Sequence, residues 1–269
     1  MFSGLTLGQY FPGDSFLHRL DPRVKLVLLF ALIASLFALP SPVTYAVMGV
    51  LVLLLALSSR ISPKMLWRSV KPLLWLLAFT FIIHLFSTDG EEIARLWHFT
   101  ATVEGAERGG AISLRLVLLL LMSSLTTFTT SPLALTYAIE ALLTPLKRFK
   151  VPTSELALMM TITLRFVPTL IGETEKIIKA QKSRGASFDS GSWNQRLQNV
   201  VSIVVPLFVS AFRRADELAL AMEARCYRGG EGRTHAFVEM KLAARDYLAA
   251  LAVVIMLAGL FLYRKGWLV

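Results

Sequence analysis

Five long apolar runs separated by short polar stretches constrain this chain more than any other feature. The first runs from Val24 to Leu39 and is closed by Pro40-Ser41-Pro42, and the second from Val43 to about Leu57. The others cover Pro72 to Phe86, Ala111 to Thr130 and about Tyr247 to Tyr263. Lipid offers no partner for backbone N–H and C=O groups, so runs of this kind become helices. The first two, about 16 residues each, fall slightly short of the roughly 20 a span needs, so flanking residues extend them or their turn sits in the interface. Composition agrees: 55% hydrophobic residues against 17% charged, with mean hydropathy +0.61, is too apolar for a soluble globule. The polar and aromatic segment before Val24 is read as part of the mature protein, because no small-residue cleavage site follows the run.

A formal charge of +10 would suggest nucleic acid in a soluble protein, but here its distribution decides. Arg60, Lys64, Arg68 and Lys71 stand between the second and third runs with no acid. Residues 87–110 instead hold Asp89, Glu91, Glu92, Glu104 and Glu107 against Arg95 and Arg108. Basic loops stay cytoplasmic, so the first loop is inside and the second outside. This places the N-terminus and residues 131–246 inside and the C-terminus outside, with Arg264 and Lys265 as a minor violation. The charge is then the ordinary signature of a multi-pass cell-membrane protein, and no nucleic acid is expected as a partner. The single cysteine, Cys226, excludes an intramolecular disulfide and suits a reducing cytosolic side.

Three parts follow: a membrane domain over 1–130 with four spans, a cytoplasmic module over 131–246, and a last span over 247–269. The module is too long for a loop and reads as three amphipathic helices. Ser131-Pro132 starts the first, which runs to about Thr144-Pro145. The second begins at Thr153-Ser154 and continues through Pro168, with an expected kink, to Gly185. Its apolar residues Leu156, Met159, Met160, Leu164 and Val167 recur at helical spacing, and Thr161, Arg165, Thr169, Glu173 and Lys176 mark the opposite face. The third starts near Ser192-Trp193, carries Val200, Val204, Phe208 and Phe212, and ends before Gly229-Gly230. The expected fold is therefore all-α: an integral membrane protein of about five transmembrane helices with about three amphipathic helices in its module.

The two long module helices end alike. Ala180-Gln181-Lys182-Ser183-Arg184-Gly185 is matched by Ala221-Met222-Glu223-Ala224-Arg225-Cys226, so alanine, small residue, arginine, small residue recurs 41 positions on. A single cation near a helix C-terminus is ordinary, since it complements the helix dipole by roughly 0.3 to 1 kcal/mol. Two copies with small neighbours read instead as paired docking groups, each with space for the guanidinium to enter a partner's groove.

With these residues in view, the chain resembles the transmembrane T subunits of energy-coupling factor importers. The likeness includes Gly8-Gln9-Tyr10, Pro12-Gly13-Asp14-Ser15 and His18-Arg19-Leu20-Asp21-Pro22-Arg23-Val24-Lys25. It continues through Ser131-Pro132, Ile139-Glu140-Ala141-Leu142-Leu143 and Leu164-Arg165-Phe166-Val167-Pro168 to the paired arginine motifs. It implies that Ser183, Arg184, Gly185, Ala224, Arg225 and Cys226 dock into two cytoplasmic ATPase subunits. It also implies a membrane-embedded S subunit that carries the substrate. ATP and magnesium would bind the ATPases, with no cofactor held by this chain. Ser183 and Cys226 depart from the family's commoner alanine and glycine, but both are small. Met159, Met160, Val204 and Phe208 would cover one another or an S subunit, or form an ordinary packing core; methionine suits a surface with several partners. The front motif looks more like the shared, vitamin-serving type than a dedicated cobalt or nickel importer.

A catalytic constellation is hard to assemble. Gly229-Gly230-Glu231-Gly232 lacks the lysine and preceding strand of a phosphate loop, so ATP must bind elsewhere. His18, His84, His98 and His235 are scattered, and Asp216-Glu217 beside Arg213-Arg214 reads as a solvated or interhelical charge cluster. Cys226 is expected to be a small buried spacer rather than a reactive thiol. Arg115 is expected to snorkel or to pair with Glu107, and Trp67, Trp75 and Trp97 to anchor the interface. A membrane-embedded lipid or glycan enzyme, which would need clustered acids or histidines, and a simple membrane anchor remain the rival classes.

Overall fold

The computed structural model describes residues 10–96, 99–149, 153–186, 192–227 and 242–265. Gly8-Gln9, Trp97, His98, Gly229-Gly230 and His235 lie outside them. The chain divides into two compact units, one from residues 8–135 with 240–269, the other chiefly residues 136–239.

In the first unit, proline and a polar residue repeatedly set helix starts. Asp21 caps α1 (Pro22–Ala38) by accepting from the Arg23 N–H, and Ser41 caps α2 (Pro42–Ser59) by accepting from that of Thr44. The basic stretch expected as a loop is instead largely helical: α3 (Pro63–Val70) passes through a 3-10 turn (Lys71–Leu73) into α4 (Leu74–Ser87). The all-α expectation holds, and the polar stretch after α4 adds a small exception to it. It forms a small antiparallel hairpin, β1 (Glu92–Leu96) against β2 (Phe99–Thr102), with Leu96 opposite Phe99.

The next helix, α5 (Val103–Thr129), starts about two turns before the expected Ala111. Its first turns carry Gly105 and Gly109, which let α4 approach closely. A Cβ on Gly105 would lie 2.6 Å from the His84 carbonyl oxygen, and one on Gly109 would lie 3.2 Å from that of Phe81. Small residues four apart permit such backbone contact in membrane helices.

A core cluster joins Leu32 and Leu36 of α1, Leu39 just after it, Tyr45, Met48 and Val52 of α2, and Leu118, Met122 and Leu125 of α5. Leu260 of α9 (Ala244–Arg264) completes it. At the start of α1 lies a polar knot that ties in the start of α9. Asp246 accepts from the Asp21 N–H through one oxygen and from the Ala243 N–H through the other, both at 2.8 Å. Lys25, buried beside these carboxylates, donates to the Thr129 carbonyl at 2.9 Å and to the Thr130 hydroxyl. Burying a charge is costly unless it is compensated, and this lysine is hydrogen-bonded to the chain and lies within electrostatic reach of Asp21 and Asp246.

Among the described residues, five helical segments are long and apolar enough to cross a membrane. They are Pro42–Ser59, Pro63–Ser87, Val103–Thr129, Trp193–Ala224 and Ala244–Arg264. The number agrees with the sequence reading, but the set does not. At 17 residues α1 is short for a span, whereas Trp193–Ala224, expected as amphipathic, qualifies by length and composition.

Of the two expectations for Arg115, the pairing with Glu107 does not form. The arginine lies about three turns into α5 and donates through Nη2 to the Tyr45 hydroxyl at 2.6 Å.

Candidate functional site

The second unit is built on α6 (Pro132–Leu143), which straddles the boundary, a 3-10 turn (Thr144–Phe149), α7 (Thr153–Ser183) and α8 (Trp193–Ala224). Ser131 accepts from the Ala134 N–H and Ser192 from that of Gln195, so two of the three expected starts carry a serine cap. Both long helices contain an internal proline, Pro168 and Pro206.

The arginine motifs are more alike in structure than in sequence. At the end of α7 the Ala186 N–H donates to the Gln181 carbonyl and the Gly185 N–H to that of Lys182, each at 3.0 Å. At the end of α8 the Tyr227 N–H donates to the Met222 carbonyl at 3.0 Å and the Cys226 N–H to that of Glu223 at 2.9 Å. This is the Schellman closure in both cases, with arginine as the C-cap and the next residue left-handed. Gly185 has φ +90° and Cys226 φ 55°. A left-handed residue turns the chain sharply away, so each arginine projects from a finished helix tip.

Ser183, Arg184, Gly185, Ala224, Arg225 and Cys226 are all exposed. For Cys226 this corrects the expected buried spacer: in the folded chain the thiol is free and exposed. No carboxylate forms an ion pair with Arg184 or Arg225 among the described residues.

The two helices meet through polar groups, among them Glu173, which the sequence reading placed on the face opposite the apolar residues. Glu173 of α7 accepts from the Ser210 hydroxyl of α8 and pairs with Arg214 at 3.0 Å. Those donors hold its carboxyl below the usual carboxylate range, the serine hydrogen bond contributing most. Further along, the Gln181 side chain donates to the Ser202 carbonyl at 3.2 Å. The partners pair in reverse order, so the helices run antiparallel where they touch. Arg184 then lies just beyond one end of the contact and Arg225 far beyond the other.

Arg214 answers the question of the Arg213-Arg214 and Asp216-Glu217 cluster, since part of it is interhelical. Its partnership with Glu173 was not foreseen. The only available signal was the opposite charge of two residues near the middle of neighbouring amphipathic helices.

The apolar groups are not brought together. Met159 is 54% exposed, Met160 40%, Val204 40% and Phe208 59%, so they neither cover one another nor form a core in this chain. Trp193, Leu197, Val201, Val205, Val209 and Phe212 are exposed on α8 as well.

A largely helical membrane unit with several apolar spans, interrupted in sequence by a helical module with two matched arginine tips, defines a multi-pass integral membrane protein. The chain matches, over residues 13–236, the family described as CbiQ, cobalt transport protein. It belongs to that family, the transmembrane components of energy-coupling factor transporters. It is 51% identical over 265 residues to the energy-coupling factor transporter transmembrane protein EcfT of Acidaminococcus fermentans, covering 97% of this chain and 98% of the relative. It is 48% identical to the protein so named in Heliobacterium modesticaldum, over 99% of this chain and 98% of that one. The Bacillus subtilis protein of the same name is 43% identical, over 98% of this chain and all of its own length, 100%.

Proposed function

We propose that this chain is the non-catalytic coupling subunit of an ATP-driven importer. It links two cytoplasmic ATPase subunits to a membrane-embedded S subunit that carries a vitamin. The observation that carries this reading is the pair of matched arginine tips. Both are exposed, both project from a Schellman-closed helix end, and they lie beyond opposite ends of the contact between α7 and α8.

Arg184 and Arg225 would each enter a groove on a separate ATPase and transmit the movement of nucleotide-driven closure. A guanidinium suits this task because it stays charged when partly desolvated and makes several directed hydrogen bonds. Ser183, Gly185, Ala224 and Cys226 keep the flanks small enough for entry. The exposed apolar residues around Met159, Met160, Val204 and Phe208 would hold the S subunit. ATP and magnesium would be bound by the ATPases and no cofactor by this chain. The charge map supports an N-terminus and module on the cytoplasmic side.

The dedicated cobalt or nickel importer is the second reading, favoured by the matching family's description as a cobalt transport protein. The relatives that align along nearly their whole length carry the energy-coupling factor name, which supports the importer reading common to both.

ATP-driven uptake in vesicles containing all subunits tests the proposal. Truncating one side of a buried charged contact typically costs roughly 2 to 5 kcal/mol, about 30-fold to several thousandfold in affinity. Arg184→Glu or Arg225→Glu should therefore weaken ATPase binding and uptake severely. The double variant should lose the assembled complex while still inserting in the membrane. Near-normal transport by the double variant would leave the chain a plain anchor.

A further inference from the structure

A cavity of about 790 Å³ opens between the α1–α2 turn and α5 in the membrane unit, toward the end that carries the β-hairpin. Pro40, Ser41 and Pro42 form one rim, Ala46, Ala111 and Leu114 supply apolar wall, and Glu107, Arg108 and Arg115 also line it. Residues 108, 111 and 115 recur at helical spacing, so they form one stripe on α5 with the two arginines about 10 Å apart along the axis.

Arg115 is not electrically satisfied. Its guanidinium bonds to the neutral Tyr45 hydroxyl and lies 5.3 Å from the centre of the Phe37 ring and 5.7 Å from that of Tyr45. Its Nε is fully buried with no hydrogen-bond acceptor. No carboxylate forms an ion pair with it among the described residues. Tyr45 is one turn into α2, so the charge lies one turn below the proline-rich turn, the depth at which headgroups meet acyl chains. Around it Phe37, Val43 and Leu114 are exposed, as lipid-facing residues are.

We infer that this cavity holds the phosphodiester of a glycerophospholipid from the leaflet on the hairpin side. Arg115 and Arg108 receive the phosphate, and an acyl chain lies along Ala46, Ala111 and Leu114. Two guanidinium groups against the one carboxylate of Glu107 leave the cavity cationic. Guanidinium and phosphate match in shape and charge, and an apolar wall beside them suits a lipid better than a free ion.

The test titrates the purified full-length chain in detergent with phosphatidylglycerol and counts bound lipid by native mass spectrometry. The wild type should retain one tightly held lipid. Arg115→Gln should weaken retention by about tenfold or more, as expected for loss of a charge-assisted hydrogen bond. Ala46→Trp, at an exposed position that leaves Arg115 and Tyr45 in place, should block the cavity and have the same effect without lowering the thermal midpoint. Unchanged retention in both variants overturns the assignment. So does displacement of the lipid by excess inorganic phosphate, which would make this a free-anion site. Crosslinking of the cavity rim to another membrane subunit in the assembled transporter, with no lipid retained, would also overturn it.

Discussion

At position 226 a cysteine occupies the backbone conformation that its counterpart 41 residues earlier fills with glycine. An L-residue in the left-handed region costs roughly 1 to 2 kcal/mol through contact between its Cβ and the following carbonyl, and glycine escapes this. Cys226→Gly should therefore stabilise the end of α8, by about 0.5 to 1 kcal/mol once glycine's greater freedom in the unfolded chain is offset. The Tyr227 amide, whose bond to Met222 closes the turn, should exchange with deuterium more slowly; unchanged or faster exchange would contradict the reading. The pairing of Arg184 with Arg225 was legible in the sequence because small residues flank both. The matching closure was not, since nothing in Arg225-Cys226-Tyr227 announces a left-handed residue. Glu173 was hidden for another reason: helical periodicity sorts residues into faces but does not say which polar face a neighbouring helix will meet.

At the scale of elements, most helix starts could be read directly. Asp21-Pro22, Ser41-Pro42, Ser131-Pro132 and Ser192 all combine a capping side chain with a helical run. The beginning of α5 could not be read this way. Three glycines and three charged residues within 103–110 resemble a loop, and the contact with α4 turns Gly105 and Gly109 to advantage. That contact gives a paired prediction. Gly105→Ala would press a methyl group against the His84 and Leu85 carbonyls, at 2.6 and 2.8 Å, and should cost about 1 to 3 kcal/mol. Gly110→Ala meets nothing within 4 Å and should be neutral or slightly stabilising, by up to about 1 kcal/mol. Thermal unfolding of the two variants in detergent checks this, and equal behaviour would show that the close approach does not matter.

For the molecule as a whole, the sequence made the membrane class plain, because apolar runs survive any ambiguity about their ends. It did not show what joins them. The polar knot of Asp21, Lys25, Thr129, Thr130 and Asp246 brings together residues more than 200 positions apart in the chain. Asp246→Ala would strand two backbone N–H groups and remove a carboxylate beside Lys25. It should destabilise the membrane unit by about 2 to 5 kcal/mol, seen as a lower unfolding midpoint. Asp246→Asn, which keeps one acceptor, should lose less, and equal loss would assign the effect to charge alone.

That knot also sets a timetable for biosynthesis. Asp21 and Lys25 leave the ribosome early, while Asp246 follows only after the entire helical module has been made. Until then the amide of Asp21 lacks its acceptor and the buried ammonium of Lys25 lacks the electrostatic influence of Asp246. A nascent chain stalled within the module would carry that exposed defect near the membrane surface, where a quality-control protease could distinguish it from the finished protein.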